Sequence, residues 1–138
     1  MLFLIVDDSE NSLNQLSRIV TDLGHEVVGT ARDGQAAVRQ YEALHPDVVI
    51  LDLIMPRMNG REALREIRSR DPQAKVVIAS SMRSPQSALE CQREGAAFFL
   101  YKPLDEEDLR NVIRKLQPKI DDKFDKKFEN GKGPAAGT

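Results

Sequence analysis

With Cys91 as its one cysteine, the chain can form no internal disulfide, which suits a reducing compartment. Excess charge is equally scarce: 20 Lys+Arg against 22 Asp+Glu leave a formal net charge of -2. That balance gives no electrostatic reason to expect nucleic acid or a membrane surface as a partner. Long apolar runs are missing too. Leu2 to Val6 is apolar, but Asp7 ends the run far short of a signal-peptide core or a membrane span, so it reads as a buried strand. His25 and His45 lack metal-ligand spacing and are expected in surface or turn positions. The expected location is the cytoplasm. At 138 residues, 41% hydrophobic and 30% charged, the chain suffices for one domain with a real core and not for two.

What is present is an alternation. Short β-rich runs and longer stretches of helical period follow one another five times, with no hairpin signal and no internal repeat. Strands are expected at Leu2 to Val6, His25 to Thr30, Asp47 to Asp52, Lys75 to Ala79 and Phe98 to Tyr101. Asp47 to Asp52 is apolar between its acidic ends, as a strand covered on both faces should be. The first helix opens at Asp8 or Ser9 and closes at Gly24, turning Leu13, Leu16, Val20 and Leu23 inward. Asp33 caps the second, which carries Ala37, Val38, Tyr41 and Leu44 to its end at His45-Pro46. Asn59 caps the third, with Leu64 and Ile67 inward, and Ser84-Pro85 starts the fourth, which ends at Gly95 and carries Cys91 as a small, partly buried residue. Asp105 to Asp108 loads acid onto the start of the fifth. The pattern predicts an α/β fold, a parallel sheet between two layers of helices.

Pro118 marks a change of composition. Residues 1–117 read as the domain and 118–138 as a C-terminal tail that finishes in a Gly-, Pro- and Ala-rich stretch. Ile120, Phe124 and Phe128 recur at four-residue spacing, so residues 118–129 are read either as a short amphipathic helix or as a frayed end.

In such a sheet, ligands bind beyond the carboxyl ends of the strands. The polar residues expected there are Asp7 and Asp8, then Asp52, then Ser80 and Ser81, then Lys102. Clustered carboxylates repel: at ~4 Å and an effective dielectric of about 20, a charged pair costs on the order of 4 kcal/mol. A divalent cation relieves that repulsion, and an all-oxygen, carboxylate-rich site suits Mg2+.

Asp7-Asp8, the segment from Asp52 through Met55-Pro56-Arg57-Met58-Asn59-Gly60, Ser80 and Lys102-Pro103 together resemble the motif set of response-regulator receiver domains, in spacing as well as identity. The similarity runs from residue 1 to about 117. It implies a flavodoxin-like five-stranded parallel sheet in the order 2-1-3-4-5, a topology that general accounts of such folds illustrate with a chemotaxis receiver. It implies Asp52 as the residue that takes a phosphoryl group from a histidine kinase or phosphotransfer protein. It further implies Asp8, Asp52 and the Ile54 carbonyl as direct Mg2+ ligands, Asp7 as a ligand through water, and Lys102 as the cation that meets a phosphoryl oxygen. Ser80 and Phe99 become the switch pair, with a buried core aromatic the competing reading of Phe99. Family members usually hold the Lys-Pro bond cis.

Several positions depart from the common pattern. Ser81 stands where a small alanine is frequent, and Ile54 and Met82 are apolar where many receivers carry polar groups. Gly95-Ala96 leads into Ala97-Phe98 without the acidic pair of charge-linked dimers. The resemblance implies a module that switches binding to a protein output partner through its α4-β5-α5 face and is no enzyme beyond handling its own phosphoryl group. The alternative is a receiver excised from a larger multidomain regulator or hybrid kinase. A haloacid-dehalogenase-type phosphatase would need a second acid two residues past the nucleophile, where Ile54 stands. Residues 118–138 lack the length and basic character of a DNA-binding domain, so no DNA binding is expected of this chain.

Overall fold

Side chains along a strand point alternately to its two faces, and here both faces are apolar, so the sheet must be covered twice. The structure, a computed structural model, describes residues 1–117 and shows that double cover. In chain order the elements are β1 Leu2–Val6, α1 Glu10–Asp22, β2 Glu26–Ala31, α2 Gly34–Leu44 and β3 Val48–Leu51, then α3 Gly60–Arg70, β4 Lys75–Ser80, α4 Pro85–Arg93, β5 Phe98–Tyr101 and α5 Glu106–Leu116. All neighbouring strands pair in parallel, in the order β2-β1-β3-β4-β5. The expected helix over 118–129 lies outside the described residues.

Alternation sorts the core into two halves. Leu4, Val6, Val49, Leu51, Val76 and Ile78 face α2, α3 and α4. Phe3, Ile5, Val48, Ile50, Val77 and Ala79 face α1 and α5. A one-residue slip of any central strand would exchange the halves, which fixes the register. The helix layers are unequal: α4 buries only Cys91, whereas α1, α2, α3 and α5 each bury four residues.

The caps follow local chemistry. Ser9, not Asp8, caps α1 and accepts the Ser12 N–H; Asp33, Ser84 and Asp105 cap their helices likewise. Asn59 and Glu62 form a reciprocal capping box at α3. Strand ends differ from expectation by a residue or so. β2 starts at Glu26, since the His25 N–H donates to the Val20 carbonyl of α1 at 3.1 Å rather than to a strand. β3 stops before Asp52, and β4 runs on to include Ser80. Leu44 is exposed rather than inward, since the helix ends there. Cys91 is fully buried, not partly.

Candidate functional site

The parallel strands deliver their carboxyl ends to one edge of the sheet. Asp7 and Asp8 follow β1, Asp52 follows β3, Ser80 ends β4 and Lys102 follows β5. One oxygen from each of Asp7, Asp8 and Asp52 lies within 4.8 Å of the others. Asp7 and Asp52 are buried and Asp8 is exposed, so the cluster opens to solvent at Asp8.

Asp7 is fully engaged. Its Oδ1 accepts the Ser9 N–H at 2.9 Å, and its Oδ2 accepts Lys102 Nζ at 2.5 Å. The same ammonium lies 3.7 Å from Asp52 Oδ2 and reaches Ser12 Oγ at 3.5 Å. Burial pushes the Asp52 carboxyl above its ordinary range; Lys102 pulls it back, and the negative charge of Asp7 adds to the push. Three carboxylates facing one lysine leave an excess of negative charge in an all-oxygen pocket. That donor set fits a hard divalent cation such as Mg2+.

The surrounding positions are less uniform. Ser80 is fully buried and its hydroxyl accepts the Met82 N–H at 3.1 Å instead of meeting the carboxylates. Phe99 pairs in register with Ile78, sits half-buried against the α2–α4 side of the core, and meets Tyr101 edge-on at 5.4 Å. Ile54 and Met82 are 53% and 38% exposed, so neither apolar side chain is part of the core. The Lys102–Pro103 peptide is cis.

Sequence reasoning left three contributors without a role. Ser12 touches Lys102 from the first turn of α1. Gly60 lies so close beneath Asp52 that a Cβ there would run into the Asp52 carbonyl and Leu53. Arg57 has a left-handed backbone, φ 65°, and pairs with Asp33. The spacing of Gly60 from Asp52 within the motif was the available signal for the second; nothing local announces the other two.

The family described as the response regulator receiver domain matches residues 3–114. The chain belongs to that family. Among curated relatives of this receiver domain, the chemotaxis protein CheY of Thermotoga maritima is 38% identical over 113 residues, covering 82% of this chain and 94% of that protein. A protein-glutamate methylesterase/protein-glutamine glutaminase of Bacillus licheniformis is 40% identical over 103 residues, 72% of this chain but 29% of that protein. Among solved structures, the CheX–CheY–BeF3–Mg2+ complex of Borrelia burgdorferi contains a chain that superposes with a TM-score of 0.82 at 35% identity, covering 84% of this chain and 88% of that one. This is therefore a CheY-like receiver domain of two-component signalling, and receiver domains bind Mg2+ at an acidic pocket of this kind. Among the described residues no helix is long and apolar enough to cross a membrane.

Proposed function

We propose that Asp52 is the phosphoacceptor of this receiver and that phosphorylation changes which protein it binds. The observation that carries the reading is the placement of the Asp52 carboxylate beside Lys102, at 3.7 Å, in a cleft it shares with Asp7 and Asp8. Asp8, Asp52 and the Ile54 carbonyl would hold Mg2+, which supplies charge neutralisation at the phosphoryl oxygens. Asp7, with both oxygens engaged, acts behind them by holding Lys102.

The donor is a phosphohistidine of a kinase or phosphotransfer protein. An Asp52 oxygen attacks phosphorus, the new P–O bond forms as the P–N bond breaks, and the imidazole leaves with the electron pair. Lys102 meets the incoming charge as a compact ammonium. Ser80 then exchanges the Met82 amide for a phosphoryl oxygen, Phe99 follows it inward, and the α4-β5-α5 face is reshaped. A groove of about 560 Å³ between α4 and β5, lined by Ala88, Leu89 and Phe99 among others, borders that side chain. The domain is taken as residues 1–117 with 118–138 as its tail, in the cytoplasm and without DNA binding of its own. Because a 103-residue match spans only 29% of a methylesterase, a second reading stands: the same module working inside a larger regulator.

Beryllofluoride with Mg2+ tests the site. It should bind the wild type and shift the amide resonances of Ser80, Phe99 and α4, while leaving Asp52→Asn unchanged. Equal shifts in both proteins would place the ligand elsewhere.

A further inference from the structure

The loop between β3 and α3, residues 52–59, carries both the acceptor and the Ile54 carbonyl, so its conformation decides where those oxygens stand. Three contacts pin it. The Gly60 N–H donates to the Leu53 carbonyl at 2.8 Å, and the Gly34 N–H, at the start of α2, donates to the Met58 carbonyl at 2.8 Å. A Cβ on Gly34 would run into Met58, so α2 and the loop are in direct backbone contact. Between these two anchors, Arg57 Nε and Nη2 both reach Asp33 Oδ2 at 2.8 Å. The other Asp33 oxygen accepts the Ala36 N–H at 2.8 Å as the cap of α2.

This pair differs from an ordinary surface ion pair. The Asp33 side chain is only 11% exposed, and two guanidinium nitrogens converge on one of its oxygens. Arg57 also holds a left-handed backbone that glycine adopts freely and arginine rarely does, so something outside the residue must hold it there. Its side chain is 61% exposed, so packing does not supply that hold; the Asp33 carboxylate and the flanking backbone anchors do.

We propose that Arg57 is a positioning residue: its clasp on Asp33 fixes the β3–α3 loop so that Asp52 and the Ile54 carbonyl are set for the metal ion before it arrives. The proposal rests on the reading of Asp52 given above. Removing the clasp therefore weakens Mg2+ binding without touching any metal ligand.

Three variants separate the clasp from the backbone. Arg57→Gly removes the guanidinium but suits the left-handed conformation. Asp33→Asn keeps a good helix cap and removes the charge. Arg57→Lys keeps charge but cannot fork. Calorimetric Mg2+ titration should show affinity roughly tenfold lower in Arg57→Gly and Asp33→Asn, the lower end of the range for residues that orient metal ligands. Arg57→Lys should fall between these and the wild type, and the double variant Arg57→Gly/Asp33→Asn should be no worse than either single one. In the absence of metal, the Gly34 amide should exchange faster with solvent in the same variants, because its Met58 acceptor is no longer held. Wild-type Mg2+ affinity in Arg57→Gly, with binding still abolished by Asp52→Asn, would overturn the clasp alone. Mg2+ binding unaffected by Asp52→Asn would overturn the Asp52 reading and the clasp with it.

Discussion

A buried carboxylate among other carboxylates works against the fold that holds it. Asp52 is 7% exposed, its ionised form is disfavoured by burial and by Asp7, and Lys102 offsets this only in part while shared with Asp7. Replacing it with asparagine keeps the shape and removes the charge. In metal-free buffer at neutral pH, Asp52→Asn should therefore be more stable than the wild type by about 1–2 kcal/mol, several degrees in Tm. Mg2+ at saturating concentration should stabilise the wild type selectively and narrow or reverse the gap. Thermal melts of both proteins with and without Mg2+ check this; a less stable variant in metal-free buffer would show that Asp52 is not strained by its surroundings. The residues in this cleft were legible because each ends or follows a strand and has a rare type at its spacing. Which partner each would choose was not: that Lys102 rests on Asp7, and Arg57 on Asp33, depends on side chains meeting across sequence separations of 95 and 24 residues.

Among the elements, α4 is the loosest. It buries one residue, Cys91, and compensates with charge: Arg61 of α3 bonds Glu90 at 2.8 Å and the capping Glu94 at 2.7 Å, and Arg65 bonds Glu94 at 2.7 Å. Few apolar anchors and several part-exposed polar ones describe a segment that opens before the rest of the domain. Arg61, then Arg65, holds the Glu94 carboxyl below its ordinary range. A depressed carboxylate stabilises the folded state above its unfolded pKa, and that stabilisation is lost as pH falls through the folded value. Protection of α4 amides, relative to α3, should thus decline as pH drops below about 4.3. The change should be modest, roughly two- to fivefold, because part-exposed ion pairs contribute up to about 1 kcal/mol. Arg61→Gln should weaken the pH dependence and Arg61→Gln/Arg65→Gln should abolish it, and hydrogen exchange that is equally pH-sensitive in the double variant would remove the clamp from the account. The helix starts at Asp33, Asn59 and Ser84 were readable because a cap bonds its own first turn. The clamp was not readable, since Arg61 and Glu94 lie 33 residues apart on different helices.

At the scale of the molecule, topology does the assembling. The order β2-β1-β3-β4-β5 sets β1 beside β3, β3 beside β4, and β4 beside β5, so Asp7, Asp52, Ser80 and Lys102 arrive at one edge from segments far apart in the chain. Four of the five helices are anchored on a two-sided core, while the fifth, α4, borders both the Ile54–Met82 side of the cleft and the pocket over Phe99. A rigid frame with one loosely held helix beside Asp52 is what the proposed switch requires. Alternating strands and helices predicted the layers, because burial on both faces dictates composition. The strand order came only with the resemblance, because apolar runs alike in composition do not encode which neighbours which. The account stands or falls on Asp52. Intact-mass measurement after incubation with acetyl phosphate and Mg2+ should show a single added phosphoryl group on the wild type, none on Asp52→Asn, and none on the wild type when the metal is chelated. Undiminished phosphorylation of Asp52→Asn would contradict it.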